Sequence, residues 1–245
     1  MPFTLSHPAL IVPVHRVFKK WTSLTGLIVG SMAPDFEKFL TMRLSNTFSH
    51  SLAGVFLFSL PVSLVLCFLY HLVVRDTLLD NLPNFLRKRL YPFKQLHWIS
   101  FFRNNYLVVI SSILVGALLH LFWDAFTHED GYLEDILFPF QDKRFGVVGL
   151  SISLYQLLQL LSSFFGMLVV MYALLKLPAG EAPVKCSGIW PYWLLLLAVT
   201  LLLVVVRVLV YEPGRRLEIA FTVVLAFMIS LVLTPLIRKP ATLLR

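Results

Sequence analysis

Five long apolar runs constrain the fold of this chain more than any other feature. An α-helix of about 20 residues crosses the roughly 30 Å hydrocarbon core of a bilayer. The chain has 245 residues, of which 58% are hydrophobic and only 14% charged, so little sequence is left for a soluble domain. Backbone polar groups in lipid must be satisfied within the protein, which favours helices. We expect spans at Leu52–Val74, Tyr106–Phe126, Val148–Leu175, Ile189–Tyr211 and Leu217–Ile237.

The sequence therefore predicts an all-α, polytopic helical membrane protein with one membrane domain over residues 1–245. Residues 1–51 contain several prolines and predict two or three short interfacial helices. Within them, "WTSLTGLIVGSMAPD" predicts a capped apolar helix that stops before Pro34, because a residue preceding proline disfavours the helical conformation. Residues 52–175 hold the first three spans, and residues 189–237 hold the last two. The third run is longer than a span requires, so its start is expected to be a loop or a tilted end.

The connecting segments carry charge of both signs. Residues 75–105 form a predicted basic loop, and residues 127–146 form an acidic one. Following the spans from side to side places residues 1–51 and 127–146 on the same face of the membrane. The net charge of +8 indicates affinity for anionic lipid head groups or phosphate. Nucleic acid is not an expected partner, because the basic residues are scattered over loops without an aromatic–basic recognition module.

Three potential metal ligands lie near the end of the second apolar run. The stretch "GALLHLFWDAFTHEDG" places His120, Asp124 and His128 four residues apart. Such positions advance about 40° per step on a helix and form a slanted stripe on one face. Ionisable groups are costly in a bilayer, and a metal would offset that cost. Imidazole and carboxylate suit zinc, iron or manganese. The alternative is that the helix ends at the interface and these side chains face water.

The N-terminal segment adds further candidates on the same predicted side. "SHPA" supplies His7, "GSMAPDFE" supplies Asp35 and Glu37, and "FSHSLAG" supplies His50. His50 precedes the first span as His128 follows the second, so these two ends can be neighbours in space. The remaining histidines are expected to have ordinary roles; they are His15, His71 and His97.

The segments "MPFTLSHPA", "GSMAPDFE", "SHSLAG" and "LLHLFWDAFTH" resemble the DUF4184 family of bacterial membrane proteins. Their order is also similar to that in YdjM-type (DUF457) membrane-bound metal-dependent hydrolases. More remotely it is similar to zinc-dependent phospholipase C and the S1/P1 nucleases, in which His and Asp residues hold a zinc cluster. YdjM-type proteins usually have His-Arg-Gly before Thr-His-Ser, whereas this chain has "SNTF" at 45–48. The resemblance implies six metal ligands, namely His7, Asp35, His50, His120, Asp124 and His128.

The resemblance further implies a hydrolase of a lipid or lipid-linked phosphoester in the bacterial inner membrane. Its expected cofactor is a divalent metal, zinc first, with manganese or iron as alternatives. Two ions bridged by Asp124 or Asp35 would activate water and clamp the reacting oxygens. Glu37 or Glu129 would act as general base or would orient an imidazole. The expected catalytic residues are Asp35, Glu37 and Glu129.

Two other functions use the same ligands. A metal-ion carrier is expected to place ligands near mid-membrane on several broken spans. Here the candidate ligands within a span all belong to the second, near one end, which favours an enzyme. A non-catalytic protein would hold a structural metal in a closed site.

Polar residues of the third span are expected to join helices or to line the site; they are Gln156, Gln159, Ser162 and Ser163. Head-group anchoring or phosphate binding is expected of Arg16, Lys19, Lys20 and Arg43, and Arg207 is expected to snorkel.

Overall fold

The computed structural model describes residues 3–41, 48–127, 144–147, 150–182, 189–211 and 216–238. Five of its helices are long and apolar enough to cross a membrane. These helices confirm the predicted polytopic helical membrane fold. In chain order, the first to fifth spans are Leu52–Asp80, Trp98–Ala125, Leu154–Leu175, Trp190–Val210 and Glu218–Arg238, the last belonging to a helix that begins at Arg216.

The predicted loop over residues 75–105 is wrong at both ends. The first span continues past Val74 to Asp80 and contains two π-helical stretches, Val55–Ser59 and Tyr70–Val74. The second span begins at Trp98, although Asn105 within it has non-helical dihedral angles (φ −135°, ψ 29°). The connection that remains contains a short helix, Asn84–Leu90.

The start of the third apolar run lies outside the helix, as a loop there would also have done, but it forms a strand. Residues Arg144–Val147 pair antiparallel with Leu150–Ser153, so that Val147 lies opposite Leu150. The helix then starts at Leu154. The surplus length of the third apolar run therefore belongs largely to a β-hairpin.

The chain packs as two compact units, each built from three stretches of sequence. The first unit contains residues 1–34, 48–63 and 107–174. The second contains residues 35–47, 64–106 and 175–245. Most of the predicted metal ligands fall in the first unit.

The N-terminal part of the first unit is a series of short helices. A 3-10 turn at Thr4–Ala9 leads into α1 (Ile11–Val17), and a second 3-10 turn at Lys19–Trp21 leads into α2 (Leu24–Met32). Ser23 caps α2, because its Oγ accepts a hydrogen bond from the Gly26 N–H at 3.2 Å. The helix ends before Pro34, as the sequence predicts.

Glycines allow α2 to pack directly against the backbone of the second span. A Cβ on Gly30 would overlap the Ile113 carbonyl and would lie 2.8 Å from the Ile113 Cα. From the opposite side, a Cβ on Gly116 would lie 2.5 Å from the Leu27 carbonyl oxygen and 2.8 Å from the Ser31 nitrogen. Close backbone approach of this kind is what small residues permit between helices in membranes. The contact fixes the end of α2 beside the middle of the second span.

In the second unit, α3 (Phe36–Thr41) packs on the fifth span, with the Phe39 and Phe221 ring centroids 6.0 Å apart. The end of the first span carries a buried cation, Arg75. Its Nε donates to the Asp76 carboxylate at 2.7 Å, and its Nη1 donates to the Leu96 carbonyl at 2.6 Å. Because the charge is paired in this way, the helix does not need to end at Val74.

Candidate metal centre

His120 and Asp124 form the base of the candidate site. They lie four residues apart on the second span, so one helical face presents both side chains. His120 Nε2 lies 3.3 Å from Asp124 Oδ2. Both residues are buried, with 1% and 5% of their surface exposed. A carboxylate that is this enclosed needs a cation or strong donors nearby, because an isolated charge is costly to bury.

A backbone carbonyl fixes the orientation of the His120 ring. His120 Nδ1 lies 2.8 Å from the Ser31 carbonyl oxygen. The carbonyl can only accept, so Nδ1 carries the proton and donates it. In a neutral imidazole the other nitrogen, Nε2, then presents its lone pair. Hydrogen bonding of one imidazole nitrogen to a carbonyl is how proteins commonly orient metal-binding histidines.

His50 enters the site from the turn that precedes the first span. Its Nε2 lies 3.3 Å from Asp124 Oδ2 and 3.3 Å from His120 Nε2. Its Nδ1 lies 3.0 Å from Ser49 Oγ. The turn is tight: Ser51 Oγ caps the span by accepting from the Gly54 N–H at 3.0 Å, and a Cβ on Gly54 would overlap the Phe48 carbonyl. These local contacts hold His50 at the start of the helix.

His7 covers the opposite side of Asp124. Its Nε2 lies 3.7 Å from Asp124 Oδ1, and its ring stacks on His120 with centroids 3.8 Å apart. The turn that carries His7 is held against the third span, because the Phe3 N–H donates to Ser163 Oγ at 2.8 Å. With 1% of its surface exposed, His7 is almost fully buried.

The spacing of three donor atoms fits a metal ion better than a hydrogen-bond network. His50 Nε2, His120 Nε2 and Asp124 Oδ2 form a triangle whose three sides are each 3.3 Å. Ligands about 2.0–2.1 Å from a tetrahedral zinc ion are separated by about 3.3–3.4 Å, which follows from the tetrahedral angle. Charge-assisted hydrogen bonds between nitrogen and carboxylate are shorter, about 2.7–2.9 Å. The triangle therefore has the dimensions of one face of a tetrahedral coordination shell.

Two predicted site residues belong to the second unit. Asp35 is buried, with 1% of its surface exposed, and its Oδ1 lies 3.7 Å from Lys38 Nζ. Glu37 is half-buried on α3, where its carbonyl accepts from Thr41 Oγ1. His128 and Glu129, like Arg43, lie outside the described residues. Within the first unit, the structure brings together His7, His50, His120 and Asp124.

The polar residues of the third span mostly join neighbouring segments of the first unit. Gln159 Nε2 donates to the Thr127 carbonyl at 2.9 Å, just beyond Asp124 in the chain. Gln156 accepts from the Ser153 N–H at 3.0 Å and so closes the start of the helix. In the second unit, the Arg207 guanidinium lies 4.0 Å from the centroid of the Tyr211 ring.

Two of the remaining histidines have structural contacts. His71 stacks on Trp98, with centroids 4.2 Å apart and planes 7° from parallel. His15 Nδ1 lies 2.8 Å from Thr22 Oγ1. Burial and the nearby Lys19 ammonium lower the pKa of His15 from its ordinary value.

Sequence reasoning missed the parts of the site that are made by backbone. The Ser31 carbonyl has no residue-specific signature, since any residue there offers the same oxygen. The glycines that bring it to His120 did leave a signal, because Gly26 and Gly30 are four residues apart in "GLIVG". That spacing is typical of close helix packing in membranes.

Comparison with known proteins extends the resemblance noted from the motifs. No curated protein and no solved structure matches the chain. The family described as "Domain of unknown function (DUF4184)" matches residues 1–238, which include all of the candidate ligands. The chain therefore belongs to the DUF4184 family.

Proposed function

We propose that this protein binds a divalent metal ion through His50, His120 and Asp124. The observation that carries the proposal is the 3.3 Å triangle of their donor atoms. His7 faces the second oxygen of the same carboxylate at 3.7 Å. Zinc is the expected metal, with manganese or iron as alternatives, because imidazole and carboxylate ligands suit all three.

We further propose that the protein is a membrane-bound hydrolase whose substrate is a phosphoester in a lipid or lipid-linked molecule. Three protein ligands on one ion are typical of catalytic zinc sites, which keep a coordination position open. The His50 side chain is 19% exposed, whereas the His120 side chain is fully enclosed. Substrate and water therefore have an approach on the His50 side. A divalent ion held there would supply Lewis-acid chemistry for the attack of water on the phosphorus.

The side chains of the site have separable tasks in this proposal. His120 holds its Nε2 towards the site through the Ser31 carbonyl. Asp124 presents Oδ2 to one pair of histidines and Oδ1 to His7, an arrangement suited to bridging two positive charges. Asp35, which the family resemblance implies as a ligand, remains a proposed ligand of a second ion. Glu37 and Glu129 remain proposed general bases, and the bacterial inner membrane remains the proposed location.

Two alternatives make different predictions. A carrier moves the ion across the membrane, and a structural site keeps it in place without turnover. The site has its ligands on the second span and on two segments outside the spans, His7 and His50. This distribution favours an enzyme over a carrier with ligands on several broken spans.

The decisive experiment measures metal and hydrolysis on the same detergent-purified protein. Elemental analysis is expected to find at least about one zinc, manganese or iron ion per chain. Phospholipids and lipid-linked phosphoesters in mixed micelles should then be cleaved, with activity lost to a chelator and restored by the metal. Metal without hydrolysis, but with uptake into proteoliposomes, would establish the carrier. Tightly held metal with neither activity would establish the structural role, and a protein that takes up no metal would exclude all three.

A pair of histidine variants separates metal binding from general stability. His71 and His120 are both buried, with 7% and 1% of their surface exposed. His120→Ala is expected to lose the metal. His71→Ala is expected to keep it while losing the stack on Trp98, at a cost of roughly 0.5–3 kcal/mol in stability. Elemental analysis and thermal unfolding in detergent measure the two effects; equal metal content in both variants would contradict the assignment.

A further inference from the structure

The path of the N-terminal segment beside the second span has a defined direction. The Ser23 N–H donates to Ser112 Oγ at 2.8 Å, near the start of α2. At the other end, the Ser31 carbonyl meets His120 Nδ1. Rising residue numbers in α2 thus accompany rising numbers in the second span, and the two helices run parallel.

The segment before α2 extends over the same length of the second span, but it runs in the opposite direction. His7 lies at the level of His120 and Asp124, which it contacts. The chain then continues through α1 to Ser23, at the level of Ser112. At 1.5 Å per residue, Ser112 lies about 18 Å from Asp124 along the axis of the second span, towards its start. Residues 4–32 therefore form a helical hairpin whose two ends are at the metal centre and whose tip is far from it.

The tip is cationic and aromatic. Its sequence, "RVFKKW" at residues 16–21, has three cations and no carboxylate. All six residues are exposed, and Trp21 exposes 76% of its surface. The turn is closed by Thr22, whose Oγ1 donates to the Phe18 carbonyl at 2.9 Å. Exposed Trp and Phe beside Lys and Arg are typical of the boundary between hydrocarbon and head groups.

The cations exclude a position for the tip within hydrocarbon. Exposed Lys and Arg side chains in the bilayer interior are strongly unfavourable. Along the second span, the exposed polar residues Arg103 and Asn104 precede an apolar stretch with exposed residues from Tyr106 (50%) to Phe122 (56%), and this stretch is the part that faces lipid. Ser112 lies only about 8 Å from Leu107 along the axis, and long cationic side chains reach several ångströms towards water. The tip is thus near the boundary at which the second span enters the membrane.

We propose that residues 4–32 are a re-entrant hairpin whose tip binds anionic phospholipid head groups in the leaflet opposite the metal centre. The hairpin enters from the side on which the second span ends and reverses beside the other boundary. Arg16, Lys19 and Lys20 bind the head-group phosphates there, while Phe18 and Trp21 lie at the level of the ester groups. This placement differs from the sequence-based expectation that residues 1–51 all lie on one face.

Cysteine labelling tests the side of the tip. Cys67 and Cys186 are first replaced by alanine, and single cysteines are then introduced as Lys20→Cys, His97→Cys or Asp130→Cys. His97 immediately precedes the second span and Asp130 follows it in sequence, so the two report opposite faces. A membrane-impermeant maleimide is applied to right-side-out and inverted vesicles. Lys20→Cys is expected to react from the same side as His97→Cys. Reaction from the Asp130→Cys side, or no reaction until detergent is added, would overturn the proposal.

Lipid composition tests the partner. The protein is placed in nanodiscs of phosphatidylcholine with or without phosphatidylglycerol, and thermal unfolding is followed. The anionic lipid is expected to raise the unfolding temperature of the wild type but not of the triple variant Arg16→Gln, Lys19→Gln, Lys20→Gln. The matched control removes three other exposed cations, as Lys88→Gln, Arg103→Gln, Lys176→Gln, and should keep most of the shift. Equal loss in both triple variants, or a shift retained by the tip variant, would contradict a head-group site at the tip.

Discussion

Replacing Asp124 with alanine is expected to remove the bound metal and abolish hydrolysis. The Asp124 carboxylate faces His7, His50 and His120. Loss of a group that only orients a ligand typically lowers metal affinity 10–100-fold, so loss of this ligand should cost more than about 100-fold. The variant removes a buried carboxylate and adds no charge, so it should still fold. Elemental analysis after dialysis against a metal buffer, together with phosphoesterase assays, measures both effects.

Two further variants make this result interpretable. Asp124→Asn keeps the volume of the side chain and should also lose metal, which excludes a simple cavity effect. Asp80→Ala removes a more exposed carboxylate that pairs with Lys94 at 2.7 Å. Surface ion pairs contribute about 0–1 kcal/mol, so Asp80→Ala should keep full metal content and near-normal stability. Metal retained in Asp124→Ala at wild-type affinity would remove this carboxylate from the coordination shell.

Substituting Gly30 is expected to damage the metal centre although this residue has no side chain in it. The added Cβ of Gly30→Ala would overlap the Ile113 carbonyl, a backbone group that cannot rotate away. Overpacking of this kind typically costs about 1–3 kcal/mol and moves the helix. Because α2 carries the Ser31 carbonyl, its displacement should also release His120 from its fixed orientation. We expect a lower unfolding temperature together with reduced metal affinity.

Other glycines provide a graded series. A Cβ on Gly26 would lie 3.0 Å from the Val109 carbonyl oxygen, so Gly26→Ala should have a milder effect than Gly30→Ala. A Cβ on Gly180 would lie 3.2 Å from Cγ of the Pro92 ring, which can adjust, so Gly180→Ala should be near neutral. Thermal unfolding and metal content should therefore rank these variants in that order. A Gly30→Ala protein as stable and as metal-rich as the Gly180→Ala protein would show that α2 does not control the site.

The number of spans could be predicted from the sequence, because each helix that crosses the lipid needs a run of about 20 apolar residues. Most of their ends also agree with the sequence to within one residue, but the end of the first span does not, because a charged residue with a partner need not stop a helix. Arg75 is paired with Asp76 and with the Leu96 carbonyl, so the first span continues through it. The start of the third run was expected to be a loop or a tilted end, and the strand Leu150–Ser153 was not foreseen, although its alternating residues suit a strand.

The candidate site was partly accessible from sequence for similar reasons. Helical periodicity predicts that His120 and Asp124 share a face, and the order of spans predicts that His50 approaches them. Backbone interactions carry no such pattern, so only the structure reveals the contact of the Ser31 carbonyl with His120 and the close approach of Gly30 to Ile113. The roles of Asp35 as a ligand and Glu37 as a base remain predictions, which mutagenesis would test.

The long separation in sequence between the site's parts has a consequence for biogenesis. His120 contacts residues 70 and 89 positions earlier in the chain, at His50 and Ser31. During synthesis, the N-terminal hairpin leaves the ribosome long before the helix against which it packs. Until the second span has been inserted, the polar backbone groups of the hairpin and the His7 side chain must therefore be accommodated by water, by lipid or by the insertion machinery. If the protein binds metal as proposed, the complete site exists only after the second span is inserted, and the ion then joins the N-terminal segment to a part of the chain made later.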